Sequence, residues 1–522
     1  MQNARILWAD DEIDLLKAHI LFLKEKGLHV TSVTNGHDAV ETAKAEPFDI
    51  VFLDENMPGM SGLEALTLIK ENSPHLPVVM ITKSEEESIM EGAIGSKIAD
   101  YLIKPVNPSQ ILMACKKILQ NRELVSAKVN TEYQKDFRKI GMFFYENPDH
   151  EEWSELFKKL VKWDMEIESN PDKTMAEVFF SQKAEANTNF SRFVMKNYLD
   201  WVNEKERKHR PMLSPDLLQE TALNYLGEKQ ESTFFILIDC LRFDQWKEFE
   251  NLIADDFYIT SEKIYYAMLP TATQYARNSI FSGLYPLDIF KKYPKYWKHD
   301  EEEGGKNMFE ADLLREQLER KRLNIKHSYH KILSNDQAAG LVQNLNNMMK
   351  NDLNVIVYNF IDALSHSRTE VDIIRELAPT EAAYRSISKT WIQHSPLMTL
   401  LKKLAEKNVK IILTTDHGTV RVKKPVKIIG DKNTSTNLRY KQGRNLSYDN
   451  EKYLFSVNKP EDAMLPKTNL SSSYVFTTED YFFAYPNNYN HYVNYYKDTF
   501  QHGGISMDEV LIPTIELLPK KG

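Results

Sequence analysis

The chain is poor in cysteine: Cys115 and Cys240 are the only two among 522 residues. That excludes a disulfide scaffold and a cysteine-rich zinc site. No apolar run approaches the roughly 20 residues that span a bilayer. The first residues, an apolar stretch running into Asp10 and Asp11, do not read as a signal peptide. Both absences point to a cytoplasmic protein. Positive charge is in deficit too, since 66 basic against 75 acidic side chains leave a net −9. The molecule as a whole therefore lacks the face that nonspecific nucleic-acid binding requires, and no helix-turn-helix pattern or basic stripe suggests sequence-specific DNA binding. Internal repeats and low-complexity tracts are missing. What is present, 42% hydrophobic and 27% charged residues, is the balance of a globular protein too long for one core.

Three pieces follow from the patterning. Residues 1–122 alternate short apolar runs (5–9, 29–33, 49–53, 78–82, 101–103) with amphipathic helical stretches, which predicts a doubly wound parallel five-stranded sheet. Residues 123–220 lose the strand signals. Trp153, Phe157, Leu160, Val161 and Trp163 recur there at helical spacing, which predicts a helical bundle spacer. Residues 221–522 return to α/β texture, with β-rich runs at 233–238, 355–360 and 410–414 for a central sheet. The loop at 299–306, HDEEEGGK, is expected to be a solvated surface loop.

In the first piece Asp10, Asp11, Asp54, Thr82 and Lys104 each follow a predicted strand and would gather at the carboxyl edge of one sheet. Crowded carboxylates call for a cation, and an all-oxygen site suits Mg²⁺. Lys104 and Thr82 would meet a phosphoryl group carried by Asp54. The motifs ADDE, LDENMPGMSG, ITKS and DYLIKP resemble a two-component receiver domain. That resemblance implies Asp54 as phosphoacceptor and Mg²⁺ held by Asp11, Asp54 and the Asn56 carbonyl, with Asp10 holding a water of the ion. It also implies Thr82 and Tyr101 as the switch pair and a cis peptide at Lys104–Pro105.

The third piece carries Asp239 in LIDCLRFD, Thr271 in LPTAT, Asp362 and His366 in FIDALSH, Asp416 and His417 in TTDHG, and His502 in QHGG. Mixed carboxylate and imidazole ligands suit zinc. Asp416 and His417 are neighbours and would point to opposite faces of a strand, so they can share an ion only where the strand breaks into a turn. Two ions about 3.5–4 Å apart would clamp a phosphoryl group and activate a nearby hydroxyl. The motif order resembles the alkaline phosphatase superfamily and, within it, a PglZ domain. IDCLRFDQW, LPTATQYARNSIFSG, NLRYKQGRNL and HGGISMDEVLIPTIEL carry the likeness. It implies one zinc on Asp362, His366 and His502, and another on Asp239, Thr271, Asp416 and His417, with Thr271 as nucleophile. Thr273 is a rival two residues on. Arg242, Arg277, Asn278, Arg439 and Lys441 are candidates to hold a substrate phosphate.

Receiver, helical spacer and PglZ-like domain in one chain resemble the PorX-type response regulators of Bacteroidota. That family implies a membrane histidine kinase as partner, homodimerisation on phosphorylation, control of type IX secretion, and zinc-dependent hydrolysis of phosphoesters such as oligonucleotides. The competing expectation is a non-catalytic adaptor with structural zinc that binds a sigma factor or a secretion component.

Overall fold

The computed structural model describes residues 4–83, 98–170, 172–226, 232–300, 302, 304–361, 380–431, 434–469 and 471–520, except for the side chains of 120–127. The chain divides into two compact units, Met1–Gln134 with Asn170–Asp172, and Lys135–Ser169 with Lys173–Gly522.

In the first unit five strands, β1 (Arg5–Ala9), β2 (His29–Val33), β3 (Ile50–Asp54), β4 (Val78–Thr82) and β5 (Asp100–Ile103), form a parallel sheet in the order β2-β1-β3-β4-β5. Every residue of β3 and β4 is buried, as a strand covered on both faces must be. β3 takes in Asp54, one residue beyond the apolar run, and so buries that carboxylate at the sheet edge. Helices α1 (Lys17–Glu25), α2 (Gly36–Ala45) and α3 (Gly62–Asn72) cover the sheet. Ser61 caps α3 in a reciprocal box with Glu64. The 36-residue α4 (Pro108–Phe143) follows β5.

In the second unit, helices α5 (His150–Ser169) and α6 (Ala176–Asn203) pack on the α/β part rather than standing apart from it. Their contact is aromatic. Trp153 is buried among Phe143, Phe190 and Phe193, and Phe190 and Trp201 close on Tyr266. The sheet strands are β6 (Ser232–Ile238), β7 (Phe257–Tyr266), β8 (His327–Ile332), β9 (Leu353–Tyr358), β10 (Val409–Thr414) and β11 (Leu511–Pro519). They run in the order β7-β11-β10-β6-β9-β8. β10, β6, β9 and β8 are parallel, and β11 is antiparallel to both neighbours. β9 starts two residues before the apolar run at 355–360. Its second residue is the polar Asn354, made welcome in the core by bonds to the Ser232 hydroxyl and the Met348 carbonyl, both at 3.0 Å.

Three further helices frame the carboxyl edge of this sheet: α7 (Phe243–Phe249), α8 (Thr273–Ser282) and α9 (Glu310–Arg320). A fourth, α10 (Glu381–His394), shares with α5, α6 and α7 a buried charge network. Arg385 pairs with Asp244 at 2.9 Å and with Glu168, Lys183 with Asp164 at 2.7 Å, and Arg242 with Asp244 and with Glu381 at 2.6 Å. Burial alone would raise the Asp244 carboxyl, but Arg242 and Arg385 hold it well below its ordinary range.

Candidate functional site

The receiver pocket is built on the ends of β1, β3 and β5. Asp10 and Asp54 are buried and Asp11 is exposed, and one oxygen from each of the three lies within 4.8 Å of the others. Lys104 reaches Asp10 at 2.9 Å and Asp54 at 3.0 Å, while Lys104–Pro105 is cis. Burial pushes the Asp54 carboxyl above its ordinary value; Lys104 opposes this, and the negative Asp10 and Asp11 add to it. Among the described residues, Asp54 Oδ1 is buried with no hydrogen-bond partner. An oxygen-only donor set with an unsatisfied carboxylate oxygen fits a hard cation such as Mg²⁺. Thr82 is buried at the end of β4, Tyr101 is 42% exposed, and Asn56 is exposed beyond β3.

The second centre lies at the carboxyl ends of β6 and β10. Asp239 directly follows β6, and its N–H donates to the Tyr358 carbonyl at 2.8 Å. Asp416 and His417 come two and three residues after Thr414, in the turn that the sequence requires if both are to face one point. Ligand atoms of Asp239, Asp416 and His417 lie within 4.8 Å of one another, and all three residues are fully buried. Gly418 lets the turn form: a Cβ there would stand 1.9 Å from the Asp508 carbonyl oxygen. Tyr265 pins the same turn, its hydroxyl donating to the Thr415 carbonyl at 2.6 Å. Burial works against ionising Asp416, yet Arg277 and His417 outweigh it and lower its pKa.

His502 reaches this centre from the loop before β11. Its ring stacks on His417 with centroids 4.3 Å apart, and its Nδ1 lies 3.1 Å from the Thr271 carbonyl. The Thr271 hydroxyl is buried; it donates to the Gly504 carbonyl at 3.0 Å and accepts from the Gly503 N–H at 2.9 Å. Thr273, the first residue of α8, has its hydroxyl 3.2 Å from His417 Nε2. Asp362 and His366, the other expected zinc ligands, lie outside the described residues.

The expected phosphate holders do not form one cluster of available cations. Arg439 is fully buried against Glu509, with Nη2 at 2.6 Å from a carboxylate oxygen, and donates to the Thr478, Glu479 and Tyr481 carbonyls. Lys441, two residues on, donates to the Ser435 carbonyl at 2.8 Å. Asn278 donates to the Lys306 carbonyl at 3.3 Å, which ties the charged loop to α8. Arg242 belongs to the buried network described above. Two residues escaped the sequence reading. Glu509 receives the Gly504 N–H at 2.9 Å and holds the His502 loop against Arg439. Cys240, in a left-handed conformation with φ 63°, places its sulfur 3.6 Å from His417 Nδ1. Only its position directly after Asp239 could have signalled it. The donors that do converge, two carboxylates and imidazoles in a dry setting, fit a borderline cation such as zinc.

The family model described as the BREX system PglZ alkaline phosphatase-like domain matches residues 217–517. Those for the PorX response regulator linker domain and the response regulator receiver domain match residues 123–202 and 6–116. Among curated proteins, the phosphoglycerate transport system transcriptional regulatory protein PgtA of Salmonella typhimurium is 33% identical over 123 residues, 24% of this chain and 30% of that protein. The alginate biosynthesis transcriptional regulatory protein AlgB of Pseudomonas syringae is 32% identical over 23% of this chain and 27% of that one. The chain thus spans under a third of the length of these two relatives. Among solved structures, Vibrio cholerae CheY4 is 24% identical, with 22% of this chain and 98% of that chain covered and a TM-score of 0.22. A receiver domain from Clostridium thermocellum is 27% identical, covering 23% and 98%, with a TM-score of 0.22. With the PglZ match running over more than half of its length, the chain belongs to the PglZ alkaline phosphatase-like family, and its receiver, linker and PglZ parts together make it a PorX-type response regulator.

Proposed function

We propose that this regulator is a phosphoester hydrolase whose output is set by phosphorylation of Asp54. One observation carries the reading. Asp239, Asp416 and His417 lie within ligand reach of one another, and His502, stacked on His417, brings a third distant segment to the same place beside two threonine hydroxyls. A purely structural metal site has no use for such hydroxyls. Zinc bound at this edge supplies Lewis acidity and neutralises phosphoryl charge. Asp239 and Asp416 are the anionic donors, with His417 and His502 as the nitrogen donors. The Thr271 main chain is held by His502, and its hydroxyl is aligned by Gly503 and Gly504. Thr271, favoured by the family resemblance, takes the nucleophile's role; Thr273, closer to His417 Nε2, is the second candidate. The burial of this centre excludes bulk water from the attacking oxygen.

The receiver implies a histidine kinase as phosphodonor. Adding about −1.5 to −2 charges to a pocket already crowded with carboxylates must be relieved by rearrangement. Tyr101 is the exposed side chain placed to report it, with homodimerisation on the β5 face as the outcome. Oligonucleotide phosphodiesters as substrate and type IX secretion as the controlled process follow from the family resemblance.

The test is hydrolysis of a generic phosphodiester by the zinc-loaded full chain. Thr271→Val is expected to lower the rate at least about 100-fold, and Thr273→Val by much less. The reverse order moves the nucleophile to Thr273. No hydrolysis by the wild type with zinc confirmed bound leaves the adaptor reading.

A further inference from the structure

Arg277 sits on the second turn of α8, fully buried, with each side of its guanidinium engaged. Its Nε lies 3.0 Å from Asp416 Oδ2, its Nη2 pairs with Asp239 Oδ2, and its Nη1 is 3.4 Å from both Glu310 Oε1 and Asn359 Oδ1. Among the described residues every nitrogen of the group is thus turned to a protein oxygen, mostly carboxylate, and at most one N–H is left over. The two aspartates come from different strands, β6 and β10, and nothing in strand pairing fixes how their carboxylates face each other. A planar guanidinium with donors in a fixed fork does fix it, because it meets both at once. Each carboxylate has two oxygens, so holding one still leaves donor capacity on the other.

The charge balance points the same way. Among the described residues, Asp239, Asp416 and Glu310 are three buried carboxylates facing two fixed cations, Arg277 and Lys331, the latter 3.0 Å from Glu310. Dry carboxylates at this spacing repel, and one uncompensated negative charge remains for a divalent ion to meet. Glu310 is itself fixed by Asn307 at 2.9 Å and by the Tyr329 hydroxyl, so the guanidinium is anchored from behind as well as in front.

We propose that Arg277 is a positioning residue of the metal centre: it sets the separation and orientation of the Asp239 and Asp416 carboxylates and does not hold substrate phosphate. The inference rests on the metal-centre reading above. Partners that orient ligand side chains in this way are typically worth about 10- to 100-fold in metal affinity.

The experiment is titration of the full chain, stripped of metal, with Co²⁺ alone, following ligand-field absorption in the visible. Wild type and Arg277→Lys are compared, the lysine keeping the charge and losing the fork. The expected result is Co²⁺ binding by Arg277→Lys about 10- to 100-fold weaker, with a changed band shape reporting altered coordination. An unchanged isotherm and spectrum overturn the proposal while leaving the metal centre standing. Absence of ligand-field bands in the wild type overturns the metal centre and the proposal together. If Arg277→Lys does not fold, Glu310→Gln decides. It keeps both ligand carboxylates, removes the rear anchor's charge, and is expected to weaken binding about three- to tenfold; wild-type behaviour there overturns the proposal.

Discussion

Lys441 is buried with its ammonium on the Ser435 carbonyl and 4.7 Å from the centre of the Tyr485 ring. Burial lowers its pKa to about 7, with Asp300 offsetting only part of the effect. Between that value and the ordinary lysine value the unfolded chain binds more protons than the folded one. Stability therefore rises with pH across this window and is lost as pH falls toward 7. Urea denaturation of the wild type at pH 7 and pH 9 should show a gain of roughly 2 kcal/mol that Lys441→Met lacks. Gly418→Ala is the sharper lesion. Its Cβ would meet backbone, so the turn holding Asp416 and His417 must move, at a cost of about 3 kcal/mol or more, read from the melting temperature. These aspartate and histidine positions were legible because parallel strands deliver their carboxyl ends to one edge. Arg277 could be named only as a candidate phosphate holder and Glu509 not at all, since a helix-borne arginine and a glutamate on the short helical turn 507–510 give no spacing signal of what they will meet.

At the scale of elements, α6 does more than fill space. The Tyr198 hydroxyl accepts from the Leu269 N–H at 2.8 Å, Ser191 donates to the Ile505 carbonyl at 3.2 Å, and Asn187 accepts from the Met507 N–H at 2.9 Å. One helix thereby touches the segment entering Thr271 and the segment leaving His502. Tyr198→Phe leaves a buried N–H unpaired, which should cost about 1–3 kcal/mol in thermal or urea unfolding. It should also reduce phosphodiester hydrolysis beyond what lost stability explains, measured well below the melting temperature. The fully buried strands β3, β4 and β6, and β10 with only Lys410 part-exposed, were legible as apolar runs, as was the helical texture of residues 123–220. The antiparallel strands β7 and β11 were not. The middle of β7, Tyr258–Ile264, is exposed or half-buried throughout, and β11 carries Pro513 as its third residue, both poor strand signals. The grip of α6 was invisible for a different reason: its partners lie 71 to 320 residues away.

For the whole molecule, two compact units, with a Mg²⁺ site proposed in one and a zinc site in the other, predict two separable unfolding steps. In calorimetry Mg²⁺ should raise the transition of the first unit, by about 1.4 kcal/mol at ten times its dissociation constant. A zinc-selective chelator should lower the other alone. A single transition responding to both ions would refute this independence.

The embedding of α5 and α6 also decides where the chain can be cut. Severing it just ahead of β6 would strip the cover from Tyr266, strand Arg385 without Glu168, and release both loops that converge on the histidine pair. The smallest fragment worth assaying for hydrolysis therefore starts before Trp153, and a shorter one is expected to precipitate or lie inert for reasons that have nothing to do with its chemistry.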